Sequence, residues 1–318
     1  MIPPGRGLRY PESDNMDQIL ARDFADFEEF AETIGGWRLR LQQLDRGRFS
    51  ASLLQVGAGP VLFSEGRTGR KLHQTGEVPP GFTFALLARQ NLGAQLRGRD
   101  VGSDRLMIFP PGGELDVVSG SDFHVFTVSV DPGHFRSVAA GLGFEEILEA
   151  MNRDTAPRLD PAAAGELRAT LHRVSASRRL GARDLTGSIV RTLALSRGDD
   201  VANRQRSLDS VITRVEQVLA KHARHSLTVR DLSGATSVTE RTLRRAIQAR
   251  YGMSPKSLLR ARRLNGARRS LRSGRPGRTS VTQVALEWGF THFGRFSGDY
   301  SALFGELPSE TLAARPRG

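Results

Sequence analysis

Leu232-Ser233, Val238, Leu243 and the closing run Tyr251-Gly252-Met253-Ser254-Pro255 decide the reading of this chain, because the pattern returns. The second set is Val284-Ala285, Phe290, Phe296 and Phe304-Gly305-Glu306-Leu307-Pro308, with its Gly and Pro 53 positions after those of the first. Each copy has the spacing of a short helix, a tight turn and a longer amphipathic helix ended by glycine. That is a helix-turn-helix shape, and two in tandem imply contact with duplex DNA.

Charge supports this. The net charge is +12, and the segment Ser207–Gly318 carries 20 Lys+Arg against 8 Asp+Glu, an excess equal to that of the whole chain. Met1–Arg206 holds 26 of each sign. A positive field confined to the repeat favours a polyanion, since phosphate neutralisation dominates nucleic-acid affinity.

Local signals define the first copy further. Thr228 with Asp231 has the spacing of a capping box, and so does Ser237 with Glu240. Gly252 stands where a left-handed helix end is wanted. On a helical wheel Leu243, Ala246, Ile247 and Tyr251 share one face, and Arg241, Arg244, Arg245 and Gln248 the other. Arginine and glutamine are the donors that read guanine and adenine edges in the major groove.

In the second copy Phe293, Phe296, Tyr300, Leu303 and Phe304 form the apolar face. Thr291, Gly294, Arg295 and Gly298 lie opposite, with His292 near the boundary. Two exposed glycines cost roughly 1 kcal/mol each in a helix. The expectation is a helix that approaches the DNA backbone closely and reads few bases, chiefly through Arg295. Ser254-Pro255 opens a strut helix running to about Arg272, long enough at 1.5 Å per residue, roughly 27 Å, to place the two units about one duplex pitch apart. Arg260, Arg262, Arg263, Arg268, Arg269 and Arg272 on it are candidate phosphate contacts.

The rest of the chain reads differently. Residues 1–16 look like a flexible tail and 17–196 like an effector-sensing and dimerisation domain. Residues 197–206 suit a polar linker and 207–318 the DNA-binding domain. Asp17–Ile34 has Phe24, Phe27, Phe30 and Ala31 at helical spacing and predicts a short acidic helix. From Trp37 to Val130 short runs such as 52–56, 82–87, 106–109 and 125–130 are broken by Gly and Pro, which predicts a β-sandwich or small barrel. Helices are expected at Pro132–Leu142, Glu145–Met151, Pro161–Ser177 and Asp184–Leu195. The last two are candidates for a homodimer interface.

There are no cysteines, so disulfides, thiolate nucleophiles and Cys-ligated zinc are excluded. The start lacks the apolar core of a signal peptide, and no apolar run reaches the ~18 residues of a membrane span. The expected location is cytoplasmic, with no membrane partner.

Leu232-Ser233…Thr239…Arg241…Leu243…Arg245…Tyr251-Gly252-Met253-Ser254-Pro255, followed by Val284-Ala285…Trp288-Gly289-Phe290…Arg295-Phe296…Tyr300…Phe304-Gly305…Pro308, resembles the AraC/XylS family of transcriptional regulators over roughly Ser207–Leu312. The resemblance implies a seven-helix DNA-binding domain in an α+β two-domain chain, with a cupin-like β-barrel or sandwich in front. It implies double-stranded DNA as partner, RNA polymerase as a further partner of an activator, and base contacts from both recognition helices. Those fall on Arg241, Arg244 and Arg245 and on the stretch from His292 to Gly298, which includes Gly294 and Arg295; Thr239, Gln248 and Thr291 join them as candidate DNA contacts from their place beside these residues. Many family members carry Arg and a large aromatic late in the second helix, where this chain has Gly298-Asp299-Tyr300.

A cupin-like fold raises the question of a metalloenzyme, whose site would want clustered histidines and a carboxylate. The chain offers His73 and Glu77, but Leu115 where a second-motif histidine would fall, and His124 and His134 stand alone. No G-x-S-x-G, H-E-x-x-H or P-loop occurs. The expectation is therefore no enzyme, no metal and no cofactor. In its place stands a small-molecule effector held among Phe84, Leu86, Phe109 and Phe126, with His73, Arg89 and His124 as orienting polar groups. The alternative is a constitutive dimeric regulator without effector.

Overall fold

The computed structural model describes residues 18–89, 93–196, 206–222, 227–275 and 277–314. The expected tail lies outside these residues, and so does most of the expected linker. Two antiparallel sheets build the N-terminal part. The first has the order β1 (Gln18–Phe24), β3 (Ala51–Ala58), β4 (Val61–Thr68), β11 (Phe123–Val130), β6 (Phe82–Leu87) and β9 (Leu106–Phe109). The second has β2 (Arg38–Gln43), β5 (Leu72–Glu77), β10 (Glu114–Ser119), β7 (Gly93–Leu96) and β8 (Arg99–Gly102).

The expected helix over Asp17–Ile34 is half strand. Gln18–Phe24 pairs antiparallel with β3, from Gln18 opposite Gly57 to Phe24 opposite Ala51. Only α1 (Phe27–Thr33) is helical, capped by Asp26, whose carboxylate accepts from the Glu29 N–H. The ladder satisfies the backbone of Gln18–Phe24, and Phe24 still reaches Phe30 across the turn, ring centroids 5.3 Å apart. The helical spacing of the aromatics thus survives a change of backbone.

The central strands of the first sheet are buried on both faces, while the edge strand β1 is largely exposed. Alternate residues of the central strands point two ways. Phe84, Leu86, Leu106, Ile108, Phe126 and Val128 pack under the helices α2 (Pro132–Gly141), α3 (Ile147–Arg153), α4 (Pro161–Ser177) and α5 (Ala182–Ala194). Ala85, Leu87, Met107, Phe109 and Phe123 face the second sheet, whose Leu115 and Val117 meet them. Under the helices, Glu65 is hydrogen-bonded by His124 (2.7 Å), Arg67 (2.7 Å) and Ser175 of α4. Burial alone would raise this carboxyl, but those bonds bring its pKa down to about 2.

Seven helices among the described residues form the C-terminal part: α6 (Arg206–Lys221), α7 (Val229–Thr236), α8 (Glu240–Tyr251), α9 (Pro255–Ser273), α10 (Val281–Glu287), α11 (Phe293–Phe304) and α12 (Pro308–Ala313). The Thr228–Asp231 capping box forms as expected. Ser237 caps the other end: it takes φ 54° and closes α7, while Thr239 accepts from the Thr242 N–H and opens α8. Gly252 and Gly305 end α8 and α11 at φ 66° and 73°, the left-handed region that a residue without Cβ enters at low cost.

The second sheet's outer face meets the C-terminal part, which places that sheet between an interior cavity and the helix-turn-helix units. Asn265 of α9 clasps the backbone of Gln43 on β2, accepting from its N–H at 3.0 Å and donating to its carbonyl at 2.9 Å. Phe27, Phe30 and Phe49 share one apolar cluster with Leu264, Leu271, Trp288 and Phe304. Arg268, almost wholly buried, donates to Asp26 at 2.7 Å, to Glu306 at 3.0 Å and to Glu28, and its guanidinium lies 4.5 Å from the Phe27 ring centre.

Candidate nucleic-acid interface

In α8 the buried side is Leu243, Ala246, Ile247, Arg250 and Tyr251. Arg241, Arg244, Arg245 and Gln248 are exposed, and no side-chain hydrogen bond or ion pair engages them among the described residues. Thr239 is exposed as well, but its hydroxyl serves the helix cap. The last turn points the other way. Arg250 is 3% exposed and donates to Asp116 Oδ1 at 2.6 Å and to the Gln95 carbonyl at 3.0 Å. Asp116 also bonds His73 Nε2 at 2.8 Å. Burial would raise the Asp116 carboxyl, but His73 and the Arg250 charge hold it below its usual range. The Tyr251 hydroxyl donates to Glu216, which also pairs with Arg262, and Lys71 Nζ donates to the Tyr251 carbonyl at 2.6 Å. The N-terminal part thus grips the base of the first recognition helix and leaves its basic face open.

The second unit has the same frame at the offset of 53: α11 is 12 residues long, as is α8. Its face differs. Thr291, His292, Gly294, Arg295 and Gly298 are exposed. His292 occupies the N-cap position without a capping side-chain bond. A Cβ on Gly294 or Gly298 would meet nothing within 4 Å, so both face open space. Asp299 pairs with Arg260. Phe293, expected on the apolar face, is instead 41% exposed and outside the cluster that buries Phe296, Tyr300, Leu303 and Phe304. As the first residue of α11 it lies beyond the turn that Phe290 fills, a position the wheel alone does not reveal.

The strut helix departs most from expectation. Four of its six arginines form ion pairs within the protein: Arg260 with Asp299, Arg262 with Glu216, Arg268 with Asp26, Glu28 and Glu306, and Arg272 with Asp26, while Arg263 donates to the Gly289 carbonyl at 3.4 Å. Arg263 lies over the Phe290 ring at 4.9 Å. Burial lowers the pKa of Arg269, with Arg40 adding to the effect. The acidic partners come from elements far away in sequence, which helical spacing cannot show.

The expected effector residues do not converge. A cavity of about 80 Å³ lies between the two sheets, with Ile34, Trp37 and Leu39 half-buried at its wall. Phe109 lines it, together with Phe30, Met107, Leu115, Val117 and Phe123. Phe84 and Phe126 lie on the other face of the first sheet, Phe84 stacked on Phe135 at 5.4 Å and Phe126 against His172 at 4.8 Å. His73 belongs to the interdomain contact, His124 to the Glu65 cluster, and Arg89 is exposed. None of the 17 lining residues is charged. Its polar groups include Ser64, Gln74, Thr127 and Thr68, whose buried hydroxyl has no hydrogen-bond partner. Among the described residues no group of three His, Asp or Glu is placed to hold a metal ion, and no helix is long and apolar enough to cross a membrane.

Comparison with known proteins agrees with the C-terminal geometry. A helix-turn-helix domain family model matches residues 232–314. A probable thc operon regulatory protein of Rhodococcus erythropolis is 34% identical over 110 residues, 35% of this chain and 33% of that protein. The XylDLEGF operon transcriptional activator 2 of Pseudomonas putida is 34% identical over 100 residues, 31% of this chain and 64% of that protein. The alignment with the first spans about a third of that relative's own length. Among solved structures, a probable AraC family transcriptional regulator from Rhodopseudomonas palustris is 36% identical over 33% of this chain and 98% of its own, with a TM-score of 0.30. The helix-turn-helix domain of this chain's C-terminal third is of the AraC/XylS type.

Proposed function

We propose that this protein is a sequence-specific, DNA-binding transcription regulator whose N-terminal sandwich holds a small effector. The observation that carries the DNA reading is the open face of α8. Three arginines and a glutamine stand in solvent with no partner among the described residues, on the helix that occupies the recognition position of its turn. Side chains this costly to order find their acceptors outside the chain: base edges and phosphates. The matching frame of α11 supplies a second groove contact one strut away. The 19 residues of α9 make that strut ~28 Å long, close to the pitch of the duplex.

Such a regulator works in the cytoplasm, without an enzymatic step or cofactor. A homodimer through α4 and α5, and contact with RNA polymerase if it activates, complete the proposal. The relative named as a transcriptional activator favours activation.

Selection of bound duplexes from a random library tests the core of the reading. The expected product is a motif in two segments about one helical turn apart. Arg245→Ala should then weaken binding to the selected duplex by about 1–3 kcal/mol and relax the preference at one position. Enrichment of no motif would overturn base reading by either unit.

The interior cavity supports an effector without charge. A carboxylate placed there would lose its hydration and find no cation on the wall, a cost of several kcal/mol. Thr68 offers one hydroxyl for a hydrogen bond. At about 80 Å³ the space is about half the ~150 Å³ that admits benzene in an engineered cavity. A ligand of that size therefore enters by moving the half-buried Ile34, Trp37 and Leu39.

A further inference from the structure

The second recognition helix carries an exposed aromatic where its twin carries an acid. With the offset of 53, Phe293 corresponds to Glu240, Gly294 to Arg241, Gly298 to Arg245 and Ser301 to Gln248. Every long donor of the first reading face is thus replaced by glycine or serine. Arg295 is the cation that remains, and no hydrogen bond or ion pair ties it down among the described residues.

An exposed phenylalanine on the first turn of a helix is a cost in water unless something covers it. Its own domain does not cover it. Phe293 is 41% exposed, while Phe290 and Phe296, three residues to either side, pair at 4.8 Å inside the core. The two glycines have open space where Cβ atoms would stand, so the helix backbone can come nearer to a groove floor than α8 can. Asp299, the acid on this helix, is neutralised by Arg260 and does not oppose a phosphate.

We propose that the second unit reads thymine by shape: Phe293 packs against the 5-methyl group of thymine in the major groove, while Arg295 fixes the approach. The N-terminal residues of a recognition helix are those that meet base edges, and apolar contact with the thymine methyl is how phenylalanine distinguishes that base. The proposal rests on the DNA-reading function above. It gives the second unit, beside Arg295, a reading contact that needs no hydrogen bond.

Replacement of thymine by deoxyuridine tests it, since it removes one methyl group and leaves every hydrogen-bonding edge intact. A duplex selected from a random library by the full-length protein is made with each thymine of the second segment replaced in turn. At one or two positions the affinity should fall about fourfold, the worth of one buried methyl group. Phe293→Ala should bind the thymine duplex more weakly and show the same affinity for thymine and deoxyuridine there. Phe293→Leu should keep part of the discrimination. Because Phe293 lies outside the buried cluster, both variants should melt with the parent protein, and a melting scan confirms it. Indifference to every deoxyuridine, or full discrimination kept by Phe293→Ala, would overturn the proposal while leaving DNA reading by α8 intact. Failure to select any duplex would bring down the DNA-reading function itself, and this proposal with it.

Discussion

Replacing Arg268 by methionine should loosen the joint between the two parts of the protein, and the structure sets the size of the effect. The side chain is only 6% exposed. It serves three carboxylates at once, Asp26, Glu28 and Glu306, and lies against Phe27 and Phe304. Removing one partner of a buried ion pair typically costs about 3–5 kcal/mol, because the other charge is left uncompensated. Two features reduce this. Arg272 still reaches Asp26 and Glu28, and the methionine sulfur keeps a contact with the rings worth ~0.3–1.5 kcal/mol. The expected loss is about 2–4 kcal/mol, or roughly 3–6 °C in melting temperature at pH 7.5 for a chain of 318 residues.

The pH dependence gives a second check. Burial raises the Glu28 carboxyl above its ordinary 4.5 even with Arg268 beside it. A carboxyl whose folded pKa exceeds its unfolded value binds its proton more readily when folded. It favours folding at pH below 4.5 and loses that contribution as the pH rises through the folded value. Without Arg268 the folded value climbs further, so acidification should narrow the gap between variant and parent. Differential scanning calorimetry at pH 7.5 and pH 5.5 reads both effects. A variant that melts with the parent at pH 7.5, or a gap that widens at pH 5.5, would refute the reasoning.

Two further outcomes follow from packing and from the cavity. Gly266→Ala should destabilise by about 1–3 kcal/mol, because the added methyl would run into the Trp288 ring, and should shift the emission of that tryptophan; an unchanged spectrum and melting temperature would count against the tight contact of α9 with α10. Benzyl alcohol, cyclohexylmethanol and 2-naphthalenemethanol should raise the melting temperature more than benzoate, cyclohexanecarboxylate and 2-naphthoate, by as much as ~2.7 kcal/mol of stability at a hundredfold excess over Kd. Thr68→Val should diminish that gain, stabilisation by the carboxylates would show that the cavity accepts charge, and silence from all six would favour a sandwich that only dimerises.

Legibility in the sequence followed how local each signal is. The frame of the C-terminal part was readable because capping is a short-range affair: Thr228 with Asp231, Ser254 before Pro255, and the glycines at 252 and 305 all act within one turn. The four arginine and glutamine positions of α8 followed from the same periodicity. Between Trp37 and Val130 the strands were legible as strands, but their faces were not, and β1 was hidden by aromatics at helical spacing. The first sheet is apolar on both sides, so alternation could not tell whether Phe84 and Phe126 faced a cavity or a layer of helices. The strut arginines were opaque for another reason. Arg268 and Asp26 are 242 positions apart, and the pairing exists only once the two parts have docked.

The separation of frame from face has a consequence for descent. Both helices are held by buried aromatics and glycine ends on one side, and carry the proposed reading residues on the other. Arg241, Arg244, Arg245 and Arg295 share no internal bond with that frame among the described residues. Changes at these positions should cost the fold little, since surface substitutions away from such features usually stay within ~0.5 kcal/mol. A duplicated unit built this way can acquire a new target sequence one exposed residue at a time. Two copies that began alike can come to address unlike stretches of DNA while remaining the same object in the folding sense.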